Sequence, residues 1–215
     1  MTVILGDWRD VLPGTYDPAT AIVITDPPYG SGSIDLGYAD DIPWSRSVRD
    51  VLDLLPAVRH VIRGPAPAWV ARDYPAPRRL CVEVARTRRR AAFRPGSVVH
   101  TWQGWGVWGR LRVVRSGRID SHIGIPYDDD GLGAPSTRLH RGLTPLDVSR
   151  WIVEAWTDPG LTVVDPYAGL GTIGRAARTL GHPYIGAEID EVWHRRAVVL
   201  VDAVQTRYSM EGVTA

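Results

Sequence analysis

The sequence predicts an α/β fold, a doubly wound and mostly parallel sheet in a single domain spanning residues 1–215. Three observations carry that expectation. Short apolar runs suited to buried strands alternate with stretches of helical spacing, the pattern of a parallel sheet covered by helices. Two of those runs, ending at Thr25 and Val164, stop at an acid followed by proline. A length of 215 residues suits one domain with a sizeable core.

Taken in order, Thr2 to Leu5 reads as a short strand ending in the turn Gly6-Asp7. Trp8 to Leu12 forms a short helix, stopped by Pro13-Gly14. Ala21 to Thr25 is the second strand, and Gly30 to Ser33 a loop by composition. Pro43 to Leu55 has helical spacing, with Trp44, Val48, Val51, Leu52 and Leu55 on one face. Val58 to Ile62 reads as a strand ended by Gly64-Pro65, and Pro67 to Tyr74 as a stretch with a helical turn. Leu80 to Ala85 is the next strand, with Cys81 as a buried small hydrophobe. Trp102 to Trp108 is an aromatic-rich strand whose tryptophans suit inward packing, with Trp105 left between core and cleft.

From Arg110 to His140 the periodicity fades, and residues 86–140 are expected to form a variable, target-recognising segment. Order returns at Thr144, a predicted N-cap with Pro145 at the first helical position. Leu146, Val148, Trp151, Ile152 and Ala155 give that helix its apolar face. Leu161 to Val164 is a strand, Ile173 to Leu180 a helix closed by Gly181, and Tyr184 to Glu188 a further strand. A last helix is expected from about Asp190 to Val204.

The two acid–proline stops are the chemical features of the chain. In Asp26-Pro27-Pro28-Tyr29 neither proline can donate to a neighbouring strand, and Pro28 biases Pro27 towards an extended conformation. A stiff elbow must therefore present Asp26 and Tyr29 at its tip. The second stop runs Asp165-Pro166-Tyr167-Ala168-Gly169-Leu170-Gly171-Thr172 and contains G-x-G-x-x-G from Gly169 to Gly174. Glu188 follows about twenty residues later, as in a dinucleotide fingerprint. The glycines would let backbone approach a ligand, and Glu188 would accept hydrogen bonds from a ribose diol. A nicotinamide-dependent oxidoreductase is thus one reading, and a bare strand-to-helix turn another. Against the dinucleotide, Asp165 to Ala168 separates the strand from the first glycine, and Ala215 ends the sequence soon after the following helix. A cofactor with a ribose but no pyrophosphate, S-adenosylmethionine, fits better.

Charge is segregated by sign. All 25 basic residues are arginines, and nine of them fall between Arg86 and Arg118 with no Asp or Glu. Arg86, Arg88, Arg89, Arg90, Arg110 and Arg112 are therefore the candidate phosphate-contacting surface, against the plainer reading of a solvated charged face. One cysteine excludes an internal disulfide, and the six histidines lack metal-ligand spacing. No apolar run reaches membrane-spanning length and no signal-peptide pattern opens the sequence, so a cytoplasmic protein is expected.

The two stops together, catalytic motif first and cofactor motif second, resemble the amino-methylating DNA methyltransferases in their permuted, beta-class order. The resemblance covers Met1 to Tyr29 and Arg141 to Val204, and the middle only loosely. It implies a Rossmann-like sheet of the S-adenosylmethionine-dependent methyltransferase type. It implies that Asp26 and the Pro27 carbonyl accept from the target amine, with Pro28 completing the motif and Tyr29 stacking on a flipped base. Tyr167, Gly169, Gly171 and Thr172 would line the methionine part of the cofactor, with Asp165 and Ala168 in the same elbow. Glu188 would hold the ribose, and Asp7 would lie beside the adenine. The turn at Thr144 is similar to the motif that contacts the methionine carboxylate, although the family often has lysine there and often serine where Leu170 stands.

The resemblance implies a DNA substrate, most readily N6 of adenine. N4 of cytosine would use the same elbow, although that branch more often has Ser at the position of Asp26. RNA remains open because arginines do not distinguish duplex from single strand, and a non-catalytic DNA-binding module is the remaining rival. The short segment between the motifs leaves selectivity modest or dependent on a homodimer partner.

Overall fold

The computed structural model describes residues 3–30, 42–65, 74–86, 102–111, 122–126 and 144–211. Among them eight strands form one sheet. They are β1 (Val3–Leu5), β2 (Ala21–Thr25), β3 (Arg59–Pro65), β4 (Arg79–Arg86), β5 (Trp102–Gly109), β6 (His122–Pro126), β7 (Thr162–Asp165) and β8 (Tyr184–Glu188). Five helices accompany them: α1 (Trp8–Val11), α2 (Trp44–Leu54), α3 (Leu146–Trp156), α4 (Thr172–Thr179) and α5 (Glu191–Glu211).

The sheet order is β1-β8-β7-β2-β3-β5-β4-β6. All neighbours pair in parallel except at β5, which runs antiparallel to β3 and to β4. The mostly parallel, doubly wound sheet expected from the sequence is present. Every residue of β2 is buried, as a central strand covered on both faces requires. Its side chains divide by the two-residue period of a strand. Ile22 and Ile24 join a cluster with α3, α4 and α5, whereas Ala21 and Val23 join one with α1 and α2.

That division fixes where a ligand can sit. From β7 through α4 the chain steps to β8 on one side, and from β2 through α2 it steps to β3 on the other. Right-handed crossovers in opposite directions put α4 and α2 on opposite faces, as the two clusters confirm. The boundary between β7 and β2 is thus the switch point, where the first turns of the two crossovers diverge and leave a crevice. Both acid–proline elbows stand at the carboxyl ends of these two strands.

The structure corrects several expectations. A strand, β6, lies inside the stretch that showed no pattern, paired in parallel with β4 from Val82↔His122 to Arg86↔Pro126. Its short sequence, His-Ile-Gly-Ile-Pro, is held by the neighbouring edge rather than by its own periodicity. β3 runs on past Ile62 through Gly64 and ends at Pro65, and a Cβ at Gly64 would collide with the Trp44 ring. The last helix continues beyond Val204 to Glu211. Thr144 is not a cap: Pro145 occupies the N-cap of α3 with no side-chain cap bond. Other expectations hold: Cys81 lies in the core and Trp108 is buried, while Trp105, left between core and cleft, is wholly buried on the face opposite Trp108. The suggested turn at Pro67 to Tyr74 falls outside the described residues except for Tyr74. No helix among the described residues is long and apolar enough to cross a membrane.

Candidate active site

Strand register assembles the site. Thr25 pairs with Ile62 across β2 and β3, so the next residues, Asp26 and Arg63, stand side by side. Arg63 faces Trp105 on β5, and Glu83 of β4 faces Gln103 on the same strand. Asp26, Arg63 and Trp105 therefore stand in a row next to the switch point, and Glu83, two residues beyond Cys81, the β4 partner of Trp105, completes it on the fourth strand.

Hydrogen bonds close the row. Arg63 Nη1 donates to Asp26 Oδ2 at 2.7 Å, and the Thr144 hydroxyl donates to the same oxygen at 2.6 Å. The other side of the guanidinium holds Glu83 through Nη2 and, at 3.2 Å, through Nε. Trp105 Nε1 donates to Glu83 Oε2 at 2.9 Å. Burial alone would lower the Arg63 pKa, but the carboxylates of Asp26 and Glu83 reverse this and hold it well above its ordinary value. A buried charge in such a cluster is tolerated only while it keeps a partner, because leaving it uncompensated typically costs about 3–5 kcal/mol. Arg63 and Glu83 were missed in the sequence, although each is a charge interrupting an apolar strand run.

Asp26 Oδ1 has a different partner. The Tyr29 hydroxyl lies 2.8 Å from it and 3.1 Å from Gln103 Oε1. A phenol has one proton, so it serves one of these acceptors fully at a time. Burial keeps this phenol protonated, with a pKa well above the usual tyrosine value.

The second elbow is tied to the first. The Thr25 hydroxyl donates to Asp165 Oδ1 at 2.7 Å, and the Tyr167 amide donates to that oxygen at 3.2 Å. Tyr184 OH donates to Asp165 Oδ2 at 3.4 Å. Burial pushes the Asp165 carboxyl up to about 7, with the charges of Asp26 and Glu188 adding to the shift. Asp165 is thus a buried bracket between the elbows rather than an open ligand group.

Past Asp165 the backbone turns on glycine. Gly169 has a φ of 52° and room around it, since a Cβ there would meet nothing within 4 Å. Gly171, at φ 73°, caps α4 where a Cβ would lie 2.7 Å from Val201 Cγ2. The third glycine of the motif, Gly174, serves packing, with the Tyr184 ring against it. Ala168 and Thr172 are buried beside this turn. Glu188 closes it: Oε2 accepts from the Gly169 amide at 2.8 Å and Oε1 from the Asp190 amide at 2.9 Å. Burial raises the Glu188 pKa, while those two amides oppose the rise.

The remaining candidate residues separate. Asp7 stands next to the end of β8, since the Gly6 amide donates to the Glu188 carbonyl at 2.9 Å. Its side chain caps α1 at Arg9 N (2.9 Å) and pairs with the Arg9 guanidinium. The Tyr167 ring packs edge-on to Trp8, with ring centroids 6.0 Å apart. Thr144 reaches Asp26, an arrangement the sequence did not suggest. Arg110 is exposed beyond Gly109, which pairs with Arg59 at the amino end of β3, across the sheet from Asp26. Arg86 ends β4, which runs parallel to β3 through their common neighbour, so it lies at the Asp26 side. Arg88, Arg89, Arg90 and Arg112 lie outside the described residues. No group of three or more His, Cys, Asp or Glu among the described residues is arranged to hold a metal ion.

Residues 106–199 match the model of a family described as DNA methylase. A 68-residue stretch is 37% identical to "Putative methylase YubD" of Escherichia coli (strain K12). That stretch is 32% of this chain and 30% of the relative's length. Solved structures share the fold over nearly the whole chain. The PvuII DNA methyltransferase (cytosine-N4-specific) superposes with a TM-score of 0.66 at 13% identity, covering 96% of this chain and 90% of that one. M1.HpyAVI in its SAM complex gives 0.60 at 18% identity, covering 92% and 98%. TTHA0409 of Thermus thermophilus, complexed with S-adenosyl-L-methionine, gives 0.56 at 19% identity, covering 94% and 95%.

Proposed function

We propose that this chain, whose residues 106–199 match the model of a family described as DNA methylase, transfers a methyl group from S-adenosylmethionine to N6 of adenine in DNA. One observation carries the reading: Asp26 and the Gly169 elbow stand at the ends of adjacent strands and are joined through Thr25 and Asp165. An acceptor for an amine and a glycine turn for a cofactor thus share the switch-point crevice.

The residues present fit that cofactor. The open backbone at Gly169 admits close approach, and Glu188 retains acceptor capacity beyond its two amide bonds. When bound, S-adenosylmethionine supplies an electrophilic methyl group on a sulfonium. Glu188→Ala should weaken cofactor binding at least tenfold, measured by calorimetry; unchanged affinity contradicts the ribose assignment.

An aromatic amine is a poor nucleophile because its lone pair is delocalised into the ring. Asp26 and the Pro27 carbonyl take its two N–H groups and turn the lone pair out of the ring plane. Positioning and stabilisation of the charge developing on nitrogen supply most of the catalysis. The target lies inside the helix of a duplex, so it must be flipped out to reach the elbow. The Tyr29 ring stacks on it once its hydroxyl gives up Asp26 Oδ1 in favour of Gln103. Tyr29→Phe should therefore keep at least a tenth of the transfer rate, while Tyr29→Ala loses about a hundredfold or more. Equal rates for the two variants contradict a stacking role.

Adenine is favoured over cytosine because the elbow carries Asp at position 26. Nucleoside analysis of methylated DNA tests this directly: N6-methyladenine is expected, and N4-methylcytosine overturns the base assignment. A DNA-facing edge is supported by Arg86 at the carboxyl end of β4, whereas Arg110 is too far round the sheet to share it.

A further inference from the structure

We infer that Arg63 is the positioning residue of the catalytic carboxylate, and that its clamp on Oδ2 makes Oδ1 the oxygen that receives the target amine. The inference rests on reading Asp26 as the amine acceptor and adds how it is held.

A carboxylate at a strand end is free to rotate about its last torsion, and its two oxygens are equivalent unless something distinguishes them. Here the partners do. Oδ2 takes two donors, the Arg63 guanidinium at 2.7 Å and the Thr144 hydroxyl at 2.6 Å, which are themselves 3.2 Å apart. Oδ1 takes one neutral donor, the Tyr29 hydroxyl, which has Gln103 as a second acceptor 3.1 Å away. At Oδ2 the hydrogen bond joins two ionised groups and a second donor adds to it, whereas Oδ1 has a single neutral donor, so Oδ2 is the fixed end and Oδ1 the exchangeable one.

The clamp is itself immobilised. Arg63 and Glu83 are both almost wholly buried, and Glu83 is held in turn by the Trp105 indole. Glu83 grips two nitrogens of the guanidinium, Nε and Nη2, leaving Nη1 aimed at Asp26. The planar guanidinium suits this geometry in a way an ammonium does not, because it serves two carboxylates from opposite edges with fixed directions. The residues come from β3, β4, β5 and the start of α3, so the fold sets the Asp26 rotamer.

The test is single-turnover transfer to DNA by wild type and by Arg63→Gln/Glu83→Gln, with the cofactor Kd measured alongside. Removing both charges together keeps the net charge of the row at one negative, carried by Asp26, whose side chain is 12% exposed and still takes the Thr144 and Tyr29 hydroxyls. The double variant should unfold near the wild-type temperature and bind S-adenosylmethionine within about threefold. Its transfer rate should fall about 10- to 100-fold, the scale on which a misplacement of about 1 Å acts. Arg63→Lys should recover part of the rate, since it restores one charged donor to Oδ2. A folded double variant that transfers at the wild-type rate, or one whose cofactor affinity falls in step with its rate, overturns the assignment. Should the double variant not fold, Thr144→Val removes the other Oδ2 donor without touching the ion pair. A threefold to tenfold loss then supports the clamp, and no loss overturns it. Wild-type protein that transfers no methyl group overturns the parent reading as well, whereas an active wild type with an equally active variant overturns the clamp alone.

Discussion

Asp26→Ala is expected to reduce methyl transfer by at least 10²- to 10³-fold while the protein stays folded and binds S-adenosylmethionine with nearly unchanged affinity. The rate loss follows from the role: removing one preorganised polar group that stabilises developing charge typically costs about 2.7–4 kcal/mol. Preservation of the fold follows from the charge count of the row. Asp26, Arg63 and Glu83 together carry one net negative charge, and without Asp26 the remaining Arg63–Glu83 pair is neutral and still hydrogen-bonded. Arg63 therefore keeps a carboxylate partner, and the buried Thr144 hydroxyl loses its acceptor but still accepts from Arg63 Nη1. Cofactor binding survives because the bracket Thr25–Asp165 and the loop bonds of Glu188 do not include the Asp26 side chain. Retained labelling of DNA by this variant, in rate assays beside wild type, contradicts the acceptor role.

The second large effect is on stability. The Asp165 carboxyl is pushed up to about 7 in the folded protein by burial, against about 3.9 in an unfolded chain. Between those values the folded state holds a proton that the unfolded state has released, so stability falls as pH rises from about 4 to about 7. Above that range both states are ionised and the full cost of the buried charge is felt, at most about 4 kcal/mol for three pK units. Asp165→Asn should remove that component without disturbing the bracket. Its amide oxygen can accept from Thr25 and from the Tyr167 amide, and its NH₂ can donate to the Tyr184 hydroxyl oxygen. Urea titrations at pH 5 and pH 8 should show the stability of the variant relative to wild type rising by about 1–3 kcal/mol from the lower pH to the higher. A difference that does not change between the two pH values contradicts the raised pKa.

What the sequence made legible follows from how local each signal is. The elbows at Asp26 and Asp165 were readable because acid and proline abut an apolar run, and a strand with that ending has few structural uses. The glycines of the second elbow were readable as a motif, but their roles were not equal. Gly169 faces open space, whereas Gly174 answers to the Tyr184 ring, a contact made between α4 and β8. Thr144 shows the limit most clearly. Before Pro145 a threonine looks like a helix cap, yet its hydroxyl is taken by a carboxylate 118 residues away in the chain. Only the pairing of β2 with β3 brings Arg63 beside Asp26, and only the antiparallel β5 brings Glu83 within reach of Arg63. The β6 strand escaped for the same reason, since its pairing with β4 and not its own pattern defines it. The arginine-rich stretch was read as one surface, but the antiparallel run of β5 carries Arg110 to the far end of the sheet from Arg86.

The central claim is that the crevice between β2 and β7 moves a methyl group onto a base amine. The most direct measurement is incubation of the purified protein with methyl-labelled S-adenosylmethionine and unmodified duplex DNA, followed by digestion to nucleosides. Label in N6-methyladenine, dependent on Asp26, is the predicted result. Protein that binds S-adenosylmethionine yet leaves all nucleosides of duplex and single-stranded DNA unlabelled would contradict it.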